Sequence, residues 1–365
     1  MKILIVNDSK VLMTLMRAIL ETEPGFKVVG TASDGIEAVD QVGKLFPDLI
    51  LMDIHMPRMN GVEAIRRIIK IRPKTRILIT SATINRNMNL IFEGLKYGAI
   101  DYIKSPSLNA TPGTRIDRKI LRQAGARLLK KIQTLININK NKSSIVYQKK
   151  SIIQTIPTKN KTIEFKGSLP VLAIGCSTGG PSTLIFLLKA LPRPLPGPIF
   201  ICQHIDPGFD ENFAKWLSTE TGFRTTIPGQ QSQIHSDQIY VAKAGKNMIL
   251  SNNRVKYETP SPDQIYNPNI DKLFISIAEN SRQNACGIIL TGMGNDGARG
   301  LKEIKDKGGH ILIQDNQTAI VESMPQSARK LTGVYDGYPP EILGRMAGEW
   351  IYKKAGKQGN FKIKN

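Results

Sequence analysis

The chain has 365 residues, of which 41% are hydrophobic, and a formal net charge of +21. This length is typical of two domains, and the hydrophobic fraction suffices for ordinary cores. No apolar run reaches the roughly 18 residues of a membrane span, and the first residues resemble a strand rather than a signal peptide. We therefore expect no membrane insertion and a cytoplasmic location. The three cysteines, Cys176, Cys202 and Cys286, lie in or beside apolar segments and are expected to be buried, reduced thiols.

The positive charge is concentrated in the middle of the chain, where residues 105–168 carry 14 basic and 2 acidic side chains. Such a segment could bind nucleic acid or another polyanion, or it could be a solvated linker. We favour the linker and expect no nucleic-acid partner. Composition and periodicity together predict a first domain over 1–135, a basic linker over 136–168, a second domain over 169–355 and a C-terminal tail over 356–365.

Strands and helices alternate in the first domain, which predicts a five-stranded parallel sheet covered by helices on both faces. The predicted strands are Lys2–Val6, Phe26–Ala32, Leu49–Met52, Arg76–Thr80 and Ile100–Ile103. The predicted helices are Val11–Glu21, Gly35–Leu45, Gly61–Ile69, Met88–Lys96 and a last helix over Ile116–Leu135.

Two acidic residues follow strands of this sheet, Asp8 after the first and Asp53 after the third. The carboxyl ends of parallel strands share one edge, where ligands bind in open α/β sheets. Two carboxylates meeting there could hold a hard divalent cation such as Mg²⁺.

The first domain resembles a response-regulator receiver domain over essentially all of residues 1–104. The matching residues are Asn7-Asp8, Asp53 within LMDIHMPRMNG, Ser81-Ala82 and Gly98-Ala99. The resemblance implies a flavodoxin-like fold and assigns roles to four residues. Asp53 would accept a phosphoryl group from a sensor histidine kinase. Asp8, Asp53 and the backbone carbonyl of His55 would hold Mg²⁺, and Ser81 would sense the phosphoryl group.

The chain departs from the receiver pattern at two positions. Asn7 stands where a second acidic residue is usual, so the metal loses a possible charged ligand. Ser105 stands where a lysine is usual, and Lys104 comes one residue early. One step along a strand points a side chain to the opposite face, so Lys104 is expected to point away from the site.

The second domain opens with a buried strand, Val171–Ile174, a glycine-rich turn containing Ser177, and an apolar helical pattern from Leu184 to Leu191. Gly175-x-Ser177-x-Gly179 fits the nucleophile elbow of serine hydrolases. A glycine-rich turn between strand and helix can equally be a phosphate or dinucleotide cradle.

Two later strands favour the hydrolase interpretation. Pro198–Gln203 runs into His204, and Cys286–Thr291 leads to Asp296. If the strands are parallel, Ser177, His204 and Asp296 lie at one edge. A serine needs a base to take its proton, and a carboxylate that orients the base. The chain order Ser–His–Asp differs from that of α/β-hydrolases. Further elements are predicted at Ile239–Ala242, Met248–Ser251, Val255–Glu258, Asn269–Asn280, from Ala298 onward and at His310–Gln314.

Four motifs in this order resemble the catalytic domain of the chemotaxis protein-glutamate methylesterases. They are IGCSTGGP, QHIDPGF, LTGMGNDGARG and QDNQTAIVESMP. The similarity covers residues 1–104 and about 169–345, and it implies a doubly wound, mostly parallel α/β esterase domain. By the same resemblance, Ser177 is the nucleophile, His204 the general base and acid, and Asp296 the orienting carboxylate. Thr178 and Met293 would line the site and shape the oxyanion pocket.

The resemblance also implies the reaction, a phosphorylation-regulated step in a two-component chemosensory pathway. Glutamate γ-methyl esters on the cytoplasmic helices of chemoreceptors would be demethylated through an acyl-enzyme, and receptor glutamines could be deamidated in the same way. No cofactor is expected for the esterase. The receiver would cover the active site until Asp53 is phosphorylated.

Three other functions are compatible with parts of the sequence. A DNA-binding response regulator would fit the receiver and the basic segment, but the C-terminal half has no helix-turn-helix pattern. A dinucleotide-binding output domain would fit the glycine-rich turn, but the spacing is not G-x-G-x-x-G. The next strand also ends in Gln203-His204, where a ribose-binding acid would be expected. The third alternative is a phosphorylation-dependent interaction module in which Ser177, His204 and Asp296 no longer catalyse a reaction.

Overall fold

The computed structural model of the protein describes residues 1–82, 84–108, 116–136 and 169–356, except for the side chains of residues 84–86. The chain divides into two compact units, Met1–Lys149 and Lys150–Asn365. All but the first residue of the predicted linker over 136–168, and all but the first of the predicted tail over 356–365, lie outside the described residues. The bounds of the four predicted segments stay a prediction.

The first unit contains one parallel sheet with the strand order β2-β1-β3-β4-β5. Its strands are β1 (Lys2–Val6), β2 (Lys27–Ala32), β3 (Leu49–Asp53), β4 (Arg76–Ser81) and β5 (Asp101–Lys104). Its helices are α1 (Lys10–Leu20), α2 (Gly35–Leu45), α3 (Gly61–Ile71), α4 (Ile84–Lys96), α5 (Arg118–Ala124) and α6 (Ala126–Ile136). The predicted flavodoxin-like, five-stranded parallel fold is confirmed.

Polar caps explain where several of these helices begin. The Ser9 hydroxyl accepts a hydrogen bond from the Leu12 amide, and the Asp34 carboxylate accepts from the amides of Ile36 and Glu37. Each cap satisfies amides that have no partner within the first helical turn. In this strand order the direction of winding reverses between β1 and β3, and a crevice opens there at the carboxyl edge. The ends of β1 and β3 carry Asp8 and Asp53.

The prediction of one continuous helix over Ile116–Leu135 is wrong. The structure divides this segment into α5 and α6 at Gly125. A Cβ atom at Gly125 would lie 2.1 Å from Ile19 of α1, so the junction packs directly against α1. Apolar residues continue at helical spacing on both sides of the break, although only α6 buries them, which is why the sequence pattern did not reveal it.

The second unit is built on a six-stranded sheet with the order β13-β12-β6-β7-β9-β8, in which every recorded pairing is parallel. Its strands are β6 (Val171–Cys176), β7 (Ile199–Gln203), β8 (Arg224–Thr226), β9 (Gln238–Val241), β12 (Ala285–Ile289) and β13 (His310–Ile313). A separate antiparallel pair is formed by β10 (Asn247–Ser251) and β11 (Arg254–Glu258). Its helices are α7 (Gly180–Lys189), α8 (Asp210–Thr221), α9 (Ile270–Ser281), α10 (Ala298–Asp306), α11 (Ser323–Thr332) and α12 (Pro340–Lys354).

The central strand β6 determines where a ligand can enter this sheet. Its neighbours are β7 on one side and β12 on the other, so the winding reverses between β6 and β12. A crevice is expected at that reversal, beyond the carboxyl ends of the strands. The predicted doubly wound, mostly parallel α/β architecture is confirmed.

The interior of the second unit is apolar. All three cysteines are buried and free, as predicted. Burial raises the pKa of the Cys286 thiol far above its usual value, so it stays protonated. Over the described ranges, the structure has no helix with both the length and the apolar character needed to cross a bilayer.

Candidate active site and phosphorylation site

The turn that presents Ser177 is held by backbone hydrogen bonds on both sides. The Ser177 amide donates to the Thr291 carbonyl at 3.0 Å, and the Ser177 carbonyl accepts from the Gly180 amide at 2.8 Å. Gly179 adopts φ +78° before α7, a left-handed conformation that favours glycine. The turn therefore places Ser177 at the end of β6, next to the N-terminus of α7.

His204 lies beside Ser177 because of the register between β6 and β7. Cys176 pairs with Gln203, and the His204 amide donates to the Cys176 carbonyl at 3.1 Å. The residues that follow this pair, Ser177 and His204, are thus neighbours at the sheet edge. The His204 side chain is 14% exposed, so its ring is largely shielded from water.

Asp296 completes a row of three groups. His204 Nε2 donates to Asp296 Oδ2 at 2.8 Å, and the Asp296 side chain is only 1% exposed. The amides of Ile270 and Asp271, in the first turn of α9, donate to the same carboxylate at 2.8 and 3.0 Å. A buried carboxylate is stabilised by such amides and by the positive end of a helix dipole.

The helix that binds Asp296 is itself linked to the next one. Asp271 accepts hydrogen bonds from the Gly300 amide at 2.8 Å and from Arg299 Nε at 2.9 Å, in the first turn of α10. Asp296 lies just before α10 and binds the N-terminus of α9. Asp271 lies in α9 and binds the N-terminus of α10. We call this arrangement the reciprocal carboxylate pair.

The hydrogen bond to Asp296 occupies one ring nitrogen of His204 and leaves the other without that partner. Because Nε2 donates to Asp296, Nδ1 is the nitrogen that can accept a proton from Ser177. In the described part of the chain, Ser177 Oγ makes no hydrogen bond to His204. Such contacts are often long before substrate binds. The hydrogen bond between His204 and Asp296 is formed, and Ser177 and His204 are neighbours at the sheet edge.

The Gln203 side chain links the backbones of Ser177 and His204. Its Nε2 donates to the Ser177 carbonyl at 3.0 Å and to the His204 carbonyl at 2.9 Å. Its Oε1 accepts from the Cys176 thiol at 3.0 Å. The side chain is 4% exposed, and a Cβ at Gly180 would lie 2.1 Å from Oε1. We did not single out Gln203 from the sequence. The available signal was a polar residue ending an otherwise apolar strand.

The other two predicted site residues lie in the same turn and in the loop facing it. Thr178 is buried, and its carbonyl accepts from Thr291 Oγ1 at 2.9 Å. Met293 is half-buried in the loop after β12. The preceding Gly292 runs directly against Ser177, since a Cβ there would lie 2.8 Å from the Ser177 Cβ.

The first unit places its predicted phosphorylation residues at the carboxyl edge of its own sheet. Asp53 Oδ1 accepts from the Ile54 amide at 2.7 Å, and Oδ2 accepts from Asn7 Nδ2 at 3.0 Å. Burial, followed by the nearby Asp8 carboxylate, raises the pKa of Asp53 to about 6. The backbone amides of Ile54 and His55 lower this pKa, but they offset only part of the effect of burial and of the Asp8 charge.

The residues at this edge fit a magnesium ion. Asp8 and Asp53 repel one another, and the His55 backbone carbonyl follows two residues later. These are hard oxygen donors, which Mg²⁺ prefers, and the ion would relieve the repulsion. The described residues contain no group of three or more His, Cys, Asp or Glu side chains that could hold a metal. The site would thus depend on two carboxylates and a backbone oxygen.

Ser81 is part of a row of hydrogen-bonded side chains that the sequence did not predict. Its Oγ accepts from Asn87 Nδ2 at 3.1 Å, and Asn87 Oδ1 lies 2.5 Å from His55 Nε2. Lys104 is exposed, whereas Ser105 is buried and its hydroxyl has no hydrogen-bond partner within the described residues. No sequence signal marked Asn87, because its role depends on how α4 packs over the edge.

Comparison with known proteins assigns a family to each unit. A family model described as CheB methylesterase matches residues 172–346, and one described as response regulator receiver domain matches residues 3–110.

Similar full-length proteins carry both activities in their names. A protein-glutamate methylesterase/protein-glutamine glutaminase 1 of Pseudomonas fluorescens is 36% identical, covering 90% of this chain and 93% of that protein. One from Pseudomonas putida, of its group 3 operon, is 34% identical over 95% of this chain and 98% of that protein. The crystal structure of the Thermotoga maritima CheB methylesterase catalytic domain is 27% identical, covers 50% of this chain and 100% of that one, and has a TM-score of 0.47.

Proposed function

This chain belongs to the protein-glutamate methylesterase/protein-glutamine glutaminase family, and from that premise we propose that it hydrolyses glutamate γ-methyl esters on chemoreceptors. The observation that carries the proposal is the buried His204–Asp296 pair beside Ser177, at the strand reversal between β6 and β12. The substrate would be a side chain on a cytoplasmic receptor helix.

The proposed reaction has two halves. His204 Nδ1 takes the proton of Ser177, and Oγ bonds to the ester carbonyl carbon. The tetrahedral intermediate then expels methoxide, which takes the proton from His204 and leaves as methanol. Water, deprotonated by His204, attacks the acyl-serine and releases glutamate and the Ser177 hydroxyl.

Asp296 has a role in both halves. Its carboxylate holds the Nε2–H tautomer, which keeps the Nδ1 lone pair directed at Ser177. It also stabilises the imidazolium formed in each half. The two α9 amides hold this carboxylate in a fixed position.

Negative charge on the carbonyl oxygen would be stabilised at the N-terminus of α7. Backbone amides that face developing charge are effective because they need no reorganisation. Thr178 and Met293 are the residues we assign to this pocket, and the closeness of Gly292 to Ser177 supports that assignment. The same attack on a glutamine amide would release ammonia, which accounts for the second activity in the relatives' names.

We further propose that phosphorylation of Asp53 controls the esterase. A sensor histidine kinase would supply the phosphoryl group. Bound Mg²⁺ would neutralise the charge of Asp8, Asp53 and the phosphoryl oxygens. The Ser81 hydroxyl accepts from Asn87, so its own proton is free to bind a phosphoryl oxygen. Phosphorylation must favour the active arrangement by a differential free energy.

Methanol release from a methyl-esterified receptor fragment tests the proposal. We expect Ser177→Ala to abolish release by the full chain, and a small-molecule phosphodonor with Mg²⁺ to stimulate the unmodified protein. The matched control is Ser182→Ala, a serine in α7 whose hydroxyl donates to the Gly179 carbonyl, and it should stay active. Substantial release by Ser177→Ala would refute the nucleophile assignment. Stimulation that survives in Asp53→Asn would refute the control by Asp53.

A further inference from the structure

The ring of Tyr266 lies flat against the catalytic histidine. The two ring centroids are 4.8 Å apart, and the planes differ by 8°. We propose that Tyr266 is a positioning residue for His204, whose ring fixes the imidazole plane between Asp296 and Ser177 and stabilises the imidazolium. The inference rests on the proposed function, because it concerns the same proton transfer.

The loop that carries Tyr266 is firmly anchored. Gln264 Nε2 donates to the Tyr266 carbonyl at 2.5 Å and to Asn247 Oδ1 at 2.8 Å. Asn247 Nδ2 returns a hydrogen bond to Gln264 Oε1 at 2.8 Å, and Asn247 is fully buried in β10. The reciprocal amide pair ties the loop to the β10–β11 hairpin and keeps the phenol ring in one place.

The far end of the phenol contacts the loop on the other side of the site. A Cβ at Gly294 would lie 2.1 Å from the Tyr266 hydroxyl, so the hydroxyl abuts the Gly294 backbone. Gly294 lies between Met293 and Asp296. The tyrosine therefore extends from the imidazole to the loop that supplies the orienting carboxylate.

The hydrogen bond to Asp296 holds His204 at one atom and leaves the ring free to tilt about it. Stacking against a fixed aromatic ring restricts that tilt, which matters because proton transfer depends on alignment. The face of a phenol ring also attracts a cation, so the stack favours the imidazolium over the neutral ring. Both effects act on the transition state rather than on substrate binding.

Acid–base chemistry by Tyr266 itself is a less suitable role. Burial, and then the Asp296 carboxylate, raise the pKa of the Tyr266 phenol above its usual value. The phenol is therefore neutral at physiological pH and is not a base. Its interaction with His204 is through the face of the aromatic ring.

The experiment compares the full chain with Tyr266→Phe, which keeps the ring, and Tyr266→Leu, which removes it. Tyr266 is only partly buried, so both variants should fold, and a thermal melt checks this. Two readouts are used. Labelling by a fluorophosphonate reports Ser177 activation without the receptor substrate, and methanol release reports turnover. Tyr335→Leu is the control, since Tyr335 is 74% exposed.

We expect Tyr266→Phe to stay within twofold of the unmodified protein in both assays. Tyr266→Leu should label about tenfold more slowly, equivalent to about 1.4 kcal/mol, and lose the same factor in kcat with KM nearly unchanged. Labelling of Tyr266→Leu at the normal rate would overturn the proposal. So would equal losses in both variants, which would make the hydroxyl the acting group.

The design separates this inference from the proposed function. If the unmodified protein is labelled at Ser177 but releases no methanol, the substrate assignment fails, while the labelling rates still decide the role of Tyr266. If the unmodified protein is not labelled, Ser177 is not activated, and the positioning role is refuted with it.

Discussion

Asp53 and Asp296 occupy equivalent places in two different sheets, each at the carboxyl edge where the winding reverses. Asp296 receives three hydrogen bonds, two of them from the first turn of α9, and is almost fully buried. Asp53 receives bonds from Ile54 and Asn7 but faces a second carboxylate, and its pKa is raised to about 6.

The surroundings of Asp296 are complete without a ligand, whereas those of Asp53 leave room for a favourable interaction with one. The charge of Asp296 is compensated within the fold, so its position is fixed before any substrate arrives. The charge of Asp53 is compensated only in part, and the hydroxyl of Ser105 has no hydrogen-bond partner in the described structure. A bound cation or a transferred phosphoryl group can therefore change the energy of the first edge far more than that of the second.

Asp296→Asn should give the largest effect. Both oxygens of the Asp296 carboxylate accept hydrogen bonds, whereas the asparagine side chain has one oxygen and one NH₂ group. The NH₂ group would face either an α9 amide or His204 Nε2–H, and it therefore disfavours the tautomer of His204 that carries its proton on Nε2. We expect kcat for methanol release to fall by about 10⁴-fold. The matched variant is Asp271→Asn, the other member of the reciprocal carboxylate pair, whose side chain bonds Gly300 and Arg299 and whose amide bond to Asp296 is kept in the variant. It should lose stability by about 1–3 kcal/mol but keep kcat within a few-fold.

Gln203→Met should come next. The variant keeps the volume but removes the donor shared by the Ser177 and His204 carbonyls. Displacements on the scale of 1 Å lower rates by about 100-fold, so we expect kcat to fall by roughly that factor with little change in KM. Gln238→Met is the control, since this buried glutamine donates to Thr226 in β8. Equal losses of kcat in both variants would point to general destabilisation.

Asp53→Asn should stabilise the first unit, in a pH-dependent way. The folded pKa of about 6 exceeds the ordinary value of 3.8, so the folded chain keeps a proton that the unfolded chain has lost. The contribution of Asp53 to the free energy of unfolding therefore decreases as pH rises from about 4 to 6. At pH 7.5 the variant should gain roughly 1 kcal/mol, allowing for solvent screening, and at pH 4 almost nothing.

Calorimetry of the first unit's transition at the two pH values measures this gain. Added Mg²⁺ should raise the melting temperature of the unmodified protein and reduce the difference from Asp53→Asn. An identical melting temperature for the two proteins at pH 7.5 without metal would contradict the raised pKa.

Ser105→Ala should give the smallest effect. Its buried hydroxyl has no hydrogen-bond partner in the described structure, so removing it should leave the stability unchanged or raise it by about 0.5–1 kcal/mol. Ser81→Ala removes a hydroxyl that accepts from Asn87 and should cost about 1 kcal/mol. Urea unfolding of the two variants checks the contrast. A loss in Ser105→Ala as large as that in Ser81→Ala would mean that Ser105 has a partner.

The sequence predicted the strands well because buried parallel strands are continuous apolar runs that end at polar residues. That rule alone located Asp53, Ser177 and His204 near strand ends, and the family motifs assigned their roles. The same rule does not predict that α9 binds Asp296, because the α9 amides lie beside this carboxylate only when β12 is paired with β6.

Contacts made by loops and buried amides were beyond the sequence. Tyr266 is distant in the chain from His204, and its stacking depends on a loop anchored through Asn247. The sequence predicts Gln203 as the last residue of a strand, but which carbonyl groups its side-chain amide binds depends on the register with β6. The break at Gly125 likewise depends on the contact with Ile19.

The reciprocal carboxylate pair bears on how this enzyme could lose its activity over evolutionary time. Substituting Ser177 or His204 would remove a proposed catalytic group, but neither side chain caps a helix. Substituting Asp296 also leaves two amides at the start of α9 without their acceptor. Homologues that have lost the activity should therefore retain the aspartate at position 296 for longer than Ser177 or His204, because the aspartate also stabilises the fold.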